Sequence, residues 1–374
     1  MGPGLARPSS PPGLTLVLRV DRRLLLQFDW QLFGLATSLI VAGLVTVSTL
    51  MPRMGARQLI ALGIAAVGGM VVVAVDYRTL ARWACWAYGF GLLALTVVLL
   101  AGRSALGARR WIAVGPINLQ PSEIFKLALI GTLAVYLARR QSYRPGWDRV
   151  VVPLALTLPA VLLIVKQPDL GTALTLLPVA AALIIVGGAR WRHLGILAGC
   201  GLALLPGLWF FLRDYQRERI LVYIDPSRDP LGTAWNVIQA KITIGSGQLW
   251  GKGLYGGTQS RLAFLPERHT DFVFAAFAES WGFLGAAALL IVYILLVLRG
   301  LEVAATARDA LGSLLATGAT VLLATQALIN LGMVTGLLPV VGIPLPLVSY
   351  GGSALLTAVG AVALIANVRM RRFP

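Results

Sequence analysis

The string Leu265-Pro266-Glu267-Arg268-His269-Thr270-Asp271 ends where the apolar run Phe272–Leu298 begins. Asp271 therefore stands at the mouth of a hydrophobic segment, beneath a basic stretch that includes Arg217, Arg219, Lys241, Lys252 and Arg268. A carboxylate so placed suits a general base acting on a membrane-tethered substrate. The basic stretch is either a solvated face or a cradle for an anionic headgroup, since arginine forks match phosphate oxygens.

Other charges stand where a lipid environment would not choose them. In Gly107-Ala108-Arg109-Arg110-Trp111-Ile112 and Gln120-Pro121-Ser122-Glu123-Ile124-Phe125-Lys126, Pro121 and Ser122 open a helix. Glu123 and Lys126 then share one face at i,i+3. A charge at the bilayer centre costs about 2.5–3.5 kcal/mol, so intramembrane ions pair or line a cavity. Two roles stay open for this pair: structural, or bordering an active cavity. In Lys166-Gln167-Pro168-Asp169-Leu170-Gly171-Thr172, Asp169 either caps the next helix or joins Arg109, Arg110, Lys126 and Asp271 at one membrane depth. Asp271, Ala275, Ala278, Glu279 and Gly282 share a helical face of small and acidic residues. His269 has no second histidine or cysteine nearby and reads as a hydrogen-bonding loop residue.

The elements that must position these groups are membrane helices. The 374 residues are 57% hydrophobic and 13% charged, which excludes a water-soluble globule. Ten spans are expected, near 31–50, 59–75, 83–101, 122–138, 150–165, 170–189, 194–212, 272–298, 310–329 and 350–368, the last beginning at 350 or as early as Leu345. Each needs roughly 20 residues to cross about 30 Å of hydrocarbon. With no water inside to satisfy the backbone, they must be helices. The expected fold class is thus all-α, a polytopic integral membrane protein with a large external loop, 213–271, between spans 7 and 8. Residues 29–374 form one membrane domain, and 1–28 a cytoplasmic lead whose Gly-, Pro- and Ser-rich start resembles a disordered or foreign segment.

Arginines such as Arg78, Arg82, Arg139, Arg140, Arg190, Arg192 and Arg299 outnumber those of the opposite short loops, so both termini are expected inside. The net charge of +17 is explained by loops flanking spans and by anionic lipid, and no nucleic-acid partner is expected. Cys85 and Cys200 fall within spans and are expected to be buried small hydrophobes. Within the loop, Trp235, Ile238 and Ile242 share a face, as in a helix resting on the membrane or simply packing. The stretch Asn330–Ser353 is too apolar for an ordinary loop and too rich in Gly and Pro for one helix. It is expected to dip back and wall the cavity that holds Asp271.

Four strings, GARRWI…QPSEIFK (107–126), KQPDLGT (166–172), FLPERHTDFVFAAFAESWGF (264–283) and GLLPVVGIPLPLVSYGGS (336–353), resemble the SEDS family of cell-wall proteins (shape, elongation, division and sporulation). Gly257-Thr258-Gln259-Ser260 favours its elongation branch over its division branch. The resemblance implies ten spans in the bacterial cytoplasmic membrane. It implies a peptidoglycan glycosyltransferase that polymerises lipid II outside the membrane, during cell elongation and shape control, with a class B penicillin-binding protein as transpeptidase partner. The family's essential aspartate falls on Asp271, and its other sensitive positions fall on Arg109, Trp111, Glu123, Lys126, Lys166 and Asp169. Arg109, Arg110, Lys126 and Arg268 are the candidates to neutralise a departing diphosphate, with a divalent cation such as Mg2+ able to share that work. A lipid II transporter and a non-catalytic scaffold are the alternatives. The concentration of charge in one half of the spans disfavours the first, and the clustered ions are unexplained by the second.

Overall fold

The computed structural model describes residues 27–105, 108–114, 117–140, 146–211, 214–229, 232–260 and 267–372. Seven consecutive long helices open the chain: α1 (Trp30–Leu50), α2 (Pro52–Ala74), α3 (Tyr77–Ala101), α4 (Pro121–Arg140), α5 (Asp148–Lys166), α6 (Leu170–Val186) and α7 (Trp191–Phe211). Two shorter helices follow, α8 (Asp214–Ile224) and α9 (Thr233–Ser246). Three long ones, α10 (Val273–Ala305), α11 (Ala310–Thr335) and α12 (Gly352–Met370), complete the bundle. Among the described residues eight helices, α1–α5 and α10–α12, are long and apolar enough to cross a membrane, and α6 is a shorter apolar helix. The chain is a multi-pass membrane protein. The expected lead, residues 1–26 of it, lies outside the described residues.

Caps, more than apolar content, set the helix starts. Pro52 occupies the first turn of α2, and Asp76 accepts from the Arg78 N–H at 2.8 Å ahead of α3, so both helices begin earlier than the expected 59 and 83. Asp29 and Asp309 cap α1 and α11 in the same way. The last helix begins at Gly352, so no helix reaches back to Leu345.

Between α3 and α4 the expected plain loop is instead an antiparallel meander of β1 (Arg103–Ala105), β2 (Ala108–Val114) and β3 (Ile117–Leu119). The apolar run Trp111-Ile112-Ala113-Val114, flanked by Gly107 and by Gly115-Pro116, is its sequence trace. The cysteine expectation is overturned: Cys85 and Cys200 are both exposed, on outward faces of α3 and α7. Apolarity alone does not distinguish a helix face turned to lipid from one turned to protein.

Helices α4, α11 and α12 form the buried centre, with α2 and α3 largely outside it. Span ends expected on the cytoplasmic side are bonded to one another. Arg299 Nε donates to Asp29 Oδ2 at 2.8 Å, Arg78 Nη2 to Asp309 Oδ2 at 2.8 Å, and Arg149 to the carbonyls of Arg140 and Gly187. The opposite end of the bundle carries the candidate site.

One helix is broken there. Gly282 has φ 67° and ψ −168° within α10, a conformation that favours glycine. The backbone of the preceding loop repairs the break: Phe283 and Leu284 N–H donate to Gln248 and Leu249 O, while Lys252 and Gly253 N–H donate to Glu279 and Ser280 O. A Cβ on Gly282 would lie 2.3 Å from Gly251 N, so the crossing requires the missing side chain.

Candidate functional site

Asp271 lies in a turn just before α10, closed by Phe272 N–H donating to Glu267 O at 3.2 Å. Its wall is the expected dipping segment, which begins later than Asn330 because α11 continues to Thr335 and ends on left-handed Gly336. Residues 337–351 are irregular, and Ile343, Leu345, Leu347 and Val348 are buried. Residues of this segment hold the turn one by one. Tyr350 N–H donates to His269 O at 2.9 Å, and Ser349 Oγ to Thr270 O at 2.6 Å. Gly342, with φ 72°, lies against the carboxylate: a Cβ there would be 3.3 Å from Asp271 Oδ2.

The Asp271 carboxylate receives no hydrogen bond from any described residue, yet Asp271 remains partly exposed. Burial pushes its carboxyl up to about 7. The negative charge of Glu267 adds to that rise, Arg219 and Arg110 oppose it, and Asp169 adds a further upward push. Burial also lowers the neighbouring Arg268 guanidinium and His269 imidazole from their ordinary values.

The structure brings several expected residues to this end. Asp169 caps the next helix, the first role left open for it, and meets Arg110, one of the charges named for the second. Its Oδ1 caps α6 through Thr172 N–H at 3.2 Å, and its Oδ2 accepts from Gln120 Nε2 at 3.0 Å. Arg110 Nη1 stands 3.7 Å from Asp169 Oδ1 and its Nη2 donates to Pro168 O. Trp111 is half-buried in β2. Arg109 occupies β2 opposite Ser104, and its side chain lies outside what is described. Arg268 is partly buried and donates to Ser260 O. Lys166 is exposed at the end of α5.

Two expectations become specific. Lys126 is 1% exposed and 2.6 Å from Glu123 Oε1, so the pair is a closed structural ion pair rather than an exposed cation awaiting a ligand. Glu279, 0% exposed, is an anchor: Thr258, Gln259 and Ser260 N–H and the Ser260 hydroxyl donate to it at 2.7–3.0 Å, and Lys252 Nζ at 3.2 Å. Among the described residues no group of three His, Cys, Asp or Glu side chains is placed to hold a metal ion.

Sequence reasoning named Arg219 only as part of the basic stretch and Asn330 and Ser349 only as part of the dipping segment, and gave Gln120 and Gln167 no role. Arg219 Nη1 donates to Val340 O at 2.9 Å from α8, and Gln167 Nε2 to Leu95 O at 2.7 Å. The available signal was an amide standing alone in an apolar stretch, as Asn330 does.

Residues 24–373 match the family described as cell cycle protein, FtsW/RodA/SpoVE. The peptidoglycan glycosyltransferase MrdB of Escherichia coli K12 is 42% identical over 305 residues, 81% of this chain and 82% of that one. Stage V sporulation protein E of Bacillus subtilis is 39% identical over 315 residues, covering 83% and 86%. Among solved structures, a chain from a peptidoglycan synthase complex that coordinates polymerization and crosslinking superposes with TM-score 0.80 at 36% identity, covering 92% and 98%. The rod shape determining protein RodA of Thermus thermophilus gives 0.71 at 32%, covering 93% and 98%.

Proposed function

The chain belongs to the FtsW, RodA and SpoVE family of cell cycle proteins, and on that premise we propose that it is a peptidoglycan glycosyltransferase extending glycan strands from lipid II. In this reading the ten long helices α1–α7 and α10–α12 all span the bacterial cytoplasmic membrane as one domain. Both termini are cytoplasmic, and the 213–271 loop with the Asp271 end of the bundle faces outward. The role is in cell elongation, and the partner is a class B penicillin-binding protein.

The observation that carries the proposal is the partly exposed Asp271 carboxylate, which receives no hydrogen bond from a described residue and feels the charges of Arg219 and Arg110. Asp271 takes the proton from the C4 hydroxyl of the acceptor sugar as that oxygen bonds to the anomeric carbon of the donor. The anomeric carbon–diphosphate bond breaks, undecaprenyl diphosphate departs, and an α-linked donor gives a β-linked product by inversion. A diphosphate leaves as a stable anion, so cations replace the general acid of an inverting hydrolase. Arg110, Arg268 and Arg109 are assigned that role; Lys126, sealed against Glu123, is not. Ionised in the working state, Asp271 should give polymerisation an acid limb near pH 7.

The test supplies the purified chain and its partner with lipid II. Glycan strands are expected from the native chain and not from Asp271→Ala. Normal strands from Asp271→Ala would remove the assignment, and lipid translocation without polymerisation would favour a transporter.

A further inference from the structure

We propose that Asn330 is a positioning residue for this reaction, its side-chain amide fixing Asp271 and the 337–351 segment in one register. The inference rests on Asp271 being the base.

Asn330 projects from the last turns of α11 and is 0% exposed. Both hydrogens of its amide are used on backbone: Nδ2 donates to Asp271 O at 2.8 Å and to Ile343 O at 2.7 Å. Ile343 follows Gly342, the residue against the Asp271 carboxylate. One side chain thus joins the base to the wall it faces. The carbonyls of His269 and Thr270 are held by Tyr350 and Ser349, both within the irregular segment itself. Asn330 supplies the third bond in the series from a regular helix, so it ties the assembly to the bundle.

Asn330 Oδ1 is buried without a hydrogen-bond partner. An orphaned buried acceptor costs free energy that an apolar side chain of similar size would not. A chain needing only a packed α11 would do better with leucine. The amide is explained by the two carbonyls it reaches, and the role of those carbonyls is the placement of Asp271.

The experiment measures polymerisation of lipid II by the full chain with its partner for the native protein, Asn330→Leu and Asn330→Ser, with melting temperatures recorded alongside. A displacement of about 1 Å in a reacting group costs up to about 10²-fold. Asn330→Leu should therefore lose about 10–10²-fold in kcat with KM little changed, and Asn330→Ser, whose hydroxyl serves one carbonyl, should fall between. The acid limb of the rate profile is the readout that loosened packing alone would not move. Glu267, Asp169, Arg219, Arg110, Arg268 and His269 surround Asp271 and stay in place in these variants. Water admitted beside the carboxylate would shift the limb to lower pH. Activity lost only in proportion to melting temperature, with the limb unmoved, would overturn the inference. If Asn330→Leu does not fold, Asn330→Ser decides by the same criteria. Full polymerisation by Asp271→Ala in the same assay would overturn the underlying reading instead.

Discussion

Asp271 and Glu279 are acids two helical turns apart at the same end of α10, and the protein treats them oppositely. Glu279 is enclosed and surrounded by donors from Thr258, Gln259, Ser260 and Lys252. Asp271 receives no donor from a described residue, keeps access to the surface, and has a carboxyl pushed up to about 7. A carboxylate saturated with hydrogen bonds has no lone pair left for a substrate proton. One left unsatisfied where burial strips it of water has both capacity and driving force. Unfilled hydrogen-bonding capacity, more than the presence of an acid, separates the proposed base from the anchoring acid.

Breaking the comparison at Asp271 should have the largest effect. Asp271→Ala should lose about 10²–10⁴-fold in polymerisation, the usual contribution of a general base, with the fold retained by circular dichroism. Next comes the sealed pair of α4. Lys126→Ala leaves Glu123 buried and uncompensated, a loss of about 3–5 kcal/mol, while the apolar pair Glu123→Leu with Lys126→Met should recover most of the melting temperature. Glu279→Gln should cost about 1.5–3 kcal/mol for each charge-assisted bond not replaced. It should appear as faster proteolysis of the 247–260 region before it appears as lost activity.

The comparison also sharpens with pH. The folded chain holds the Asp271 proton above its ordinary value of 3.8, so ionising Asp271 costs stability as pH rises from about 4 through about 7. Asp271→Asn should match the native melting temperature near pH 4 and exceed it by a few degrees at pH 8. The smallest effects concern the flanking charges. Arg219→Gln should move the acid limb of polymerisation to higher pH, and Glu267→Gln to lower pH, as rate profiles would record.

Much of this was legible in the sequence. Apolar length announced a multi-pass membrane protein, though not the helix starts set by Pro52 and Asp76, and the Gly- and Pro-rich stretch Asn330–Ser353 announced a segment that could not be one helix. Asp271 was visible because an acid at the edge of an apolar run is expensive without a purpose. The divided roles of Asp169 were visible only as alternatives, since capping and charge pairing require the same residue type at the same place. What could not be read depends on partners distant in the chain. Glu279 looked like a cavity ion because its donors lie about twenty residues earlier on a loop with no charge pattern facing it. Asn330 is a lone amide until Asp271 and Ile343 are known to meet it. Cys85 and Cys200 were misplaced because a lipid-facing and a protein-facing apolar surface have the same composition.

The break at Gly282 has a consequence for biogenesis. The amides of Phe283 and Leu284 and the carbonyls of Glu279 and Ser280 are satisfied by residues 248–253, which are synthesised before them. The segment that completes α10 has therefore already been made when α10 itself is synthesised. A chain with that segment trimmed would present bare peptide groups to hydrocarbon, at several kcal/mol for each. Deletions within 248–253 should therefore be caught by membrane quality control rather than yield a stable but inactive protein.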